Sequence, residues 1–465
     1  MRREKRQRAA HKIHIPQWAV WYVLFMIVII FWHLLMHEYI GDAVTNFSKG
    51  LDSDTLINIL KRRYNNWSSR VIIEGLLYLI ARYVNLWKLC NIAVYALFAY
   101  SLLYLTDFKH PKLTLGLWLT YPVIEMASAG WIATYMNYFW PLAMCTYAMI
   151  SLHKLYNGKK IHLIEWLTFS LAALFAANVE QVCVLYACVL TGFGIDYFLI
   201  QKSKKGFVFY ILQWIITLGN IAFICLSRGN SVRTWKEIGM RMQDFGTMSI
   251  IDKGVLGAVV TMGKLVTANL NFLIFVTVIF AISILNRYYS EKKTTGLKKL
   301  ITRICFALPF AAAVGLTVFK TASETFFPQI VGVLLNYVRV DAENWYNLKY
   351  YVPFIVYMVM IMAILVALLN LFEDVKKSFM LAALFMTGLL SRVVLGFSPT
   401  LYASNMRTFI FFDAVIIFII VLMYCFSAEV RKKLPQRVHK AASYIFTAAV
   451  VISVINNAVA VCARI

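Results

Sequence analysis

Long apolar stretches, most of them close to 20 residues, recur along this chain and are separated by short polar segments. A helix needs about 20 apolar residues to cross the hydrocarbon core of a bilayer, whereas a membrane β-barrel would show alternating segments of about 10 residues. The pattern therefore predicts an all-α, polytopic transmembrane protein. We predict 13 spans, at about 17–36, 87–106, 112–130, 134–152, 162–180, 182–200, 207–226, 263–286, 301–320, 350–371, 378–396, 407–428 and 441–462.

The apolar segment 68–84 does not fit this pattern. It carries Arg70, Glu74 and Arg82, which are costly inside hydrocarbon, and a span there would reverse the side of every later loop. With 13 spans, the segments on the side of the N-terminus hold 27 of the 46 lysines and arginines. Because basic residues concentrate in cytoplasmic loops, we predict a multi-pass cell-membrane protein with a cytoplasmic N-terminus. Segment 68–84 is then a juxtamembrane helix on the extracytoplasmic face.

Composition agrees with one integral-membrane domain over residues 1–465. The chain is 61% hydrophobic and 15% charged, whereas a soluble domain is near half apolar and about a quarter charged. Residues 1–226 are predicted to form a catalytic-type module and 227–465 a set of C-terminal helices on the acceptor side. Two longer outer segments, 227–262 and 321–349, are expected to form short helices or re-entrant segments over the membrane. The net charge of +24 does not indicate nucleic-acid binding, because the basic residues lie between the spans.

Polar residues that are hard to explain by anchoring fall on the outer face of this topology. They include carboxylates and arginines, namely Asp42, Glu74, Glu125, Glu180, Arg70, Arg228, Arg233, Arg392 and Arg407. Arginine binds phosphate bidentately and keeps its charge when desolvated, and a carboxylate can act as a general base on a hydroxyl. Aromatic side chains such as Trp67 and Tyr138 suit the apolar faces of sugar rings. Together they predict a site where a lipid-linked phosphate meets a hydroxylated acceptor.

Simpler interpretations remain open for these residues. Asp42 could be a solvated loop residue, and Arg70 could extend to lipid headgroups. Glu74 lies four residues after Arg70, which permits a local ion pair. Aromatic residues at span ends often belong to the interfacial belt.

No cofactor is predicted. His33 and His37 are four residues apart beside Glu38, which would suit a metal pair, but the sequence offers no firm third ligand. A divalent metal therefore stays an alternative only. The chain has no phosphate-binding glycine loop or Walker lysine, which argues against a site for a cytosolic nucleotide sugar.

A set of short motifs runs in order through most of the chain. These are Gly41-Asp42; Trp67, Ser68, Ser69 and Arg70; Asn137, Tyr138, Trp140 and Pro141; Asn178 and Glu180; Gly229, Asn230 and Arg233; and Ser398, Pro399 and Arg407. With these motifs the chain resembles GT-C-type integral-membrane glycosyltransferases, and more narrowly a group of uncharacterised bacterial multispan proteins. One departure is Ala43, where such proteins often carry a second acid, so a metal requirement does not carry over.

The resemblance implies a GT-C-like fold and transfer of a sugar from a polyprenyl-phosphate donor to an envelope glycan or glycolipid, with inversion. It implies that Asp42 and Glu180 are catalytic, with Asp42 as the base. The implied substrate-binding residues are Arg70, Trp67, Asn137, Tyr138, Asn178, Asn230, Arg233 and Arg407. The expected partners are the lipid-linked donor, the acceptor and the bilayer, and no nucleic acid.

Other functions are compatible with the same sequence. A polysaccharide polymerase would share the outer site and use a diphosphate-linked donor. A transporter of lipid-linked sugars or polysaccharide would line a path through the membrane with polar residues, whereas here such residues favour one face. A structural or assembly subunit would not need the outer carboxylates and arginines.

Overall fold

The computed structural model describes residues 15–39, 41–289, 296–336, 344 and 346–463. This part of the chain is helical and forms no β-strand. Its α-helices are α1 Gln17–Leu35, α2 Leu56–Asn66, α3 Val71–Ile80, α4 Val84–Leu105, α5 Pro111–Trp118, α6 Trp131–Thr134, α7 Trp140–Tyr156, α8 Leu163–Ala176, α9 Glu180–Gly194, α10 Phe207–Cys225, α11 Arg228–Arg241, α12 Ile250–Ala268, α13 Leu270–Tyr289, α14 Gly296–Ala313, α15 Lys320–Phe326, α16 Pro328–Asn336, α17 Val352–Leu369, α18 Val375–Val393, α19 Ile410–Phe426, α20 Ala428–Lys432 and α21 Gln436–Cys462. The basic N-terminal segment and part of the loop after α13, both used in the charge argument, lie outside the described residues.

Several helices begin where the sequence supplies a capping side chain. Thr55 accepts a hydrogen bond from the Asn58 amide at the start of α2. Ser249 and Asp252 form a reciprocal capping box at the start of α12, and Asp374 caps α18. Each cap satisfies backbone N–H groups that the first helical turn leaves without a partner.

Ten helical stretches in the described residues are long and apolar enough to cross a membrane. They are built on α1, α4, α9, α10, α13, α14, α17, α18, α19 and α21. These helices fit a multi-pass membrane protein. Their outward faces carry exposed leucine, isoleucine, valine and phenylalanine side chains, which suit contact with lipid.

Three predicted spans differ from the structure, and a fourth, 134–152, lies inside a longer helical stretch. The stretch 112–130 is not one helix: α5 has eight residues, and an irregular turn and the short 3-10 helix Val123–Ala127 follow it. The region of 134–152 is helical from Trp131 to Tyr156 with a π-helical turn, Tyr135–Phe139, inside it. The predicted span 162–180 is the 14-residue α8. The predicted span 263–286 is broken at Asn269. Its first residues belong to the 19-residue α12, which begins inside the predicted outer segment 227–262.

Contacts between loops divide the bundle into two ends. One end, called the site end below, joins the start of α3 to the start of α9 by Arg70 and Glu180. The other, called the lysine-rich end, joins α4 to α7 by Asp107 and His153, with 3.0 Å between Oδ1 and Nε2. Lys376 pairs with Asp196 there at 2.8 Å. The unusual polar loops and the lysine-rich loops of the sequence therefore lie at opposite ends.

Helix α3 begins and finishes at the site end. Arg70 precedes its first residue, and Arg82, just after it, donates to the Ser48 carbonyl at 3.1 Å and pairs with Asp52. Its ten residues rise about 15 Å, half of the hydrocarbon thickness. Segment 68–84 is therefore a short helix at one end of the bundle and not a span.

Candidate functional site

The centre of the candidate site is an ion pair between residues that are far apart in sequence. The Arg70 guanidinium donates from Nη2 and Nε to one Glu180 oxygen, at 2.7 and 3.1 Å. Arg70 stands directly before α3, and Glu180 is the first residue of α9. The pair fixes the position of Arg70 because an arginine held by two hydrogen bonds to a carboxylate has a defined orientation.

Three more arginines surround Tyr138, which lies in the π-helical turn Tyr135–Phe139. Tyr138 interacts with Arg70 and Arg407, with Arg233 and with Arg392. We call Arg70, Arg233, Arg392 and Arg407 the arginine cluster. A π-turn inserts an extra residue into a helix and is frequent at functional sites.

Arg392 is the most deeply buried member of the arginine cluster. Its side chain is 1% exposed, and its guanidinium carbon lies 4.3 Å from the centre of the Phe409 ring. Nε and Nη1 find no hydrogen-bond partner among the described residues. Buried charged groups in proteins are normally paired, so this guanidinium has unused capacity to bind an anion.

Arg407 and Arg233 are half-buried and also lack a carboxylate partner within the described part of the chain. Arg407 donates from Nη1 to the Ser128 hydroxyl at 3.2 Å, and its guanidinium carbon lies 5.7 Å from the centre of the Tyr138 ring. Arg233, on the first turns of α11, faces Arg70 and Glu180. The cluster therefore holds four cations against one glutamate in direct contact.

The pKa values of the arginines outside the spans follow from this charge excess. Burial alone would lower the pKa of Arg70, but the Glu180 carboxylate and Tyr138 outweigh burial, so its pKa is raised. The pKa of Arg233 is lowered, first by burial and next by the charge of Arg70, and Glu180 offsets only part of this. A bound anion beside Arg233 would remove that penalty.

Two of the three predicted asparagines position the backbone around Arg70. Asn230 accepts a hydrogen bond from the Ser69 amide at 3.2 Å and donates to the Ser69 hydroxyl at 3.0 Å. Asn178 accepts from the Ile72 amide at 3.3 Å. Both side chains were predicted to bind substrate, and the structure places them in contact with the chain on either side of Arg70. Asn137 donates to the Ala133 carbonyl of its own helix at 2.8 Å.

Trp67 directly follows α2. The Arg63 guanidinium carbon and the Lys236 ammonium lie 5.7 and 5.9 Å from the centre of its ring. Arg63 in turn pairs with Glu74 through two hydrogen bonds of 2.7 and 2.9 Å. The local pair of Arg70 with Glu74, left open by the sequence, is therefore not formed.

Asp42 is exposed at the site end. Its amide donates to the Ala129 carbonyl at 3.1 Å, and its carboxylate accepts from Asn46 at 3.4 Å. It also interacts with Arg63. Ser128, next to Ala129, binds Arg407, so one short segment links Asp42 to the arginine cluster.

Glu38 has a structural role close by. Its carboxylate accepts a hydrogen bond of 2.7 Å from the Trp131 amide at the start of α6, where a helix favours negative charge. His33 is buried; its Nδ1 donates to the Ile29 carbonyl, and its Nε2 accepts from the Asn91 side-chain nitrogen. Both ring nitrogens of His33 are therefore hydrogen-bonded within the protein, whereas His37 is exposed. No group of three or more metal-binding side chains converges among the residues that the structure describes.

Two contributors were not singled out from the sequence. Ser128 binds Arg407, and Arg63 holds Glu74. No sequence signal points to Ser128, since an exposed serine in a loop is common. Comparisons with known proteins add nothing to this description, because no protein-family model, curated protein or solved structure matches the chain.

Proposed function

We propose that this chain is a membrane glycosyltransferase that takes a sugar from a polyprenyl-phosphate donor at the site end, on the extracytoplasmic face. The acceptor is a hydroxyl of an envelope glycan or glycolipid. The observation that carries the proposal is the arginine cluster, in which three of four guanidinium groups lack a carboxylate partner in the described chain. It lies at one end of a bundle of apolar helices, where a lipid tail in the bilayer would bring its phosphate.

The chemistry follows from the charges. A sugar phosphodiester carries a negative charge, and cleavage of the bond between the anomeric carbon and the phosphate oxygen leaves more charge on the phosphate. Arginines aimed at that oxygen stabilise the charge as it develops. Because Glu180 already binds Arg70, we assign Glu180 a positioning role. Arg233, Arg392 and Arg407 are then the residues that bind the departing phosphate.

Asp42 is our proposed base. It is exposed, and it is linked to Arg407 through the Ser128–Ala129 segment. Its carboxylate would take the proton of the acceptor hydroxyl as that oxygen attacks the anomeric carbon. The bond to the phosphate breaks on the opposite side, the phosphate leaves with the electron pair, and the configuration at the anomeric carbon inverts.

A polysaccharide polymerase with a diphosphate-linked donor is a second candidate. It is favoured by the number of arginines without a carboxylate partner, since three guanidinium groups match the charge of a diphosphate better than that of a phosphodiester. The rest of the site would serve either donor.

Lipid binding tests the shared part of both proposals. The full-length protein in lipid nanodiscs would be titrated with polyprenyl phosphate, polyprenyl diphosphate and uncharged polyprenol, with native mass spectrometry as the readout. We expect both phosphates to bind and polyprenol not to bind. Arg233→Gln should weaken phosphate binding about tenfold to a hundredfold, as for loss of a hydrogen bond to a charged group.

Arg82→Gln is the matched control, because Arg82 lies at the same end but is exposed and bound to Asp52. It should leave phosphate binding unchanged. Equal affinity for polyprenol and polyprenyl phosphate would contradict the proposal.

Transfer itself is tested with a radiolabelled polyprenyl-phosphate sugar in right-side-out and inverted vesicles. We expect product in right-side-out vesicles and its loss in Asp42→Asn. Full activity of Asp42→Asn would remove Asp42 as the base, and transfer only in inverted vesicles would contradict the assigned face.

A further inference from the structure

A buried acidic residue, Asp413, lies inside the bundle and is not part of the arginine cluster. Asp413 is in the first turn of α19 and is 2% exposed. One of its carboxyl oxygens accepts a hydrogen bond of 2.8 Å from the Asn269 side chain. No lysine, arginine or histidine forms an ion pair with Asp413 in the described ranges.

The partner of Asp413 is the residue that interrupts the helix between α12 and α13. Asn269 has an extended backbone, and its side-chain oxygen accepts from the Phe272 amide at 2.8 Å, which begins α13. Its side-chain nitrogen donates to Asp413. Asn271 also donates to Asp413, and its oxygen accepts from Thr120 at 2.8 Å. The neutral side-chain amides of Asn269 and Asn271 therefore hold Asp413 next to the interruption between α12 and α13.

The titratable groups that face Asp413 come from the irregular segment after α5. They are Tyr121 and Glu125. The Tyr121 hydroxyl is buried and has no hydrogen-bond partner in the described part of the molecule. The arginines of the neighbouring elements are turned elsewhere: Arg392 lies over Phe409, and Arg407 faces Ser128 and Tyr138.

This environment disfavours a charged carboxylate. An ionised carboxylate buried without a cation is costly, and the negative charge of Glu125 adds to that cost. A bound metal cation would need several converging oxygen ligands, whereas the two asparagines turn N–H groups towards Asp413. A proton satisfies the same site at lower cost, because a protonated carboxyl is neutral and needs no cation beside it.

We propose that Asp413 is a proton-binding site inside the membrane-spanning bundle. Its carboxyl carries a proton at neutral pH and accepts hydrogen bonds from Asn269 and Asn271. The neutral acid thereby joins α19 to the break between α12 and α13. Loss of the proton places a negative charge in the core and loosens that junction.

Infrared spectroscopy detects the proton directly. The full-length protein would be prepared in lipid nanodiscs with carbon-13 in its aspartate side chains, so that aspartate bands shift and glutamate bands do not. At pH 7 we expect a carbonyl stretching band of a protonated aspartic acid that shifts again in D2O. The band should be absent in Asp413→Asn and unchanged in Asp374→Asn, which removes an exposed helix cap.

Three results would overturn the proposal. One is the absence of a protonated aspartate band at pH 7, another is its persistence in Asp413→Asn, and the third is its loss when sodium chloride replaces choline chloride, which would indicate a bound cation. If Asp413→Asn does not fold, a pH titration of the wild-type protein still tests the proposal. Its protonated band must convert to a carboxylate band as pH rises from 6 to 10, and a carboxylate at every pH would contradict the assignment.

Discussion

Arg70 donates two hydrogen bonds to a single carboxylate oxygen of Glu180, which lies 110 residues further along the chain. The pair joins the N-terminal ends of α3 and α9 and positions the Arg70 guanidinium within the arginine cluster. Glu180 therefore contributes mainly by holding Arg70 in place.

A double-mutant cycle of Arg70→Gln and Glu180→Gln measures this contact. We expect a coupling free energy of about 1–3 kcal/mol, because the pair is half-buried and one partner would be left alone. The measurement is the free energy of unfolding of the purified protein in detergent. Arg62 and Asp54 form an exposed pair that serves as the control, with an expected coupling below about 1 kcal/mol. Equal coupling in the two cycles would contradict a special role for Arg70 and Glu180.

Arg392→Met separates stability from anion binding. The buried guanidinium lacks protein partners, so an apolar side chain of similar length should leave the ligand-free protein as stable or more stable, by up to about 4 kcal/mol. The same variant should lose most of the stabilisation that polyprenyl phosphate gives to the wild-type protein. Thermal unfolding with and without the lipid measures both effects.

Arg82→Met is the control for that experiment, since Arg82 is exposed and lies outside the cluster. It should keep the lipid-dependent rise in unfolding temperature. A strongly destabilised Arg392→Met without ligand would mean that Arg392 is a structural residue.

The sequence predicted the two ends of the bundle because charge placement is a local property of the loops. It also placed Arg70 correctly at one end. It could not supply the partner of Arg70, since helical spacing favoured Glu74 and only the packing of α3 on α9 brings Glu180 into contact. The contacts of Asn178 and Asn230 with the chain around Arg70 escaped prediction for the same reason, because these partners lie more than 100 residues away in sequence.

The stretch 112–130 shows why apolarity did not ensure a helix. Pro122 interrupts it, and backbone groups that are left without a helical partner form hydrogen bonds with α21. The Asn457 side chain accepts from the Val123 amide at 3.0 Å and donates to the Tyr121 carbonyl at 2.9 Å. Irregular backbone is tolerated at membrane depth when protein satisfies it, and that satisfaction depends on a residue over 330 positions later.

Acid should loosen the start of α2. The pKa of Asp54 is lowered, first by the hydrogen bond from Asn58 and next by that from the Thr55 amide. Because the pKa of Asp54 is lower in the folded protein, its carboxylate stabilises the fold fully above the ordinary pKa of 3.8. That stabilisation is lost as pH falls through the pKa of the folded state. Hydrogen exchange of the α2 amides, corrected for intrinsic rates, should accelerate as pH falls below 3.8. Asp54→Asn should remove this dependence, and an unchanged profile in that variant would contradict the cause.

The contact between α2 and α11 depends on a glycine. A Cβ atom on Gly229 would lie 2.6 Å from the Trp67 amide nitrogen and from the Tyr64 carbonyl oxygen, so the two backbones must move apart. Gly229→Ala should therefore lower the free energy of unfolding by about 1–3 kcal/mol and weaken phosphate-lipid binding, because Asn230 would withdraw from Ser69. Gly239 on the same helix faces open space, and Gly239→Ala should raise stability by about 0.5–1 kcal/mol. Chemical unfolding of both variants measures these changes. Equal changes in the free energy of unfolding would show that the close approach at Gly229 is not required.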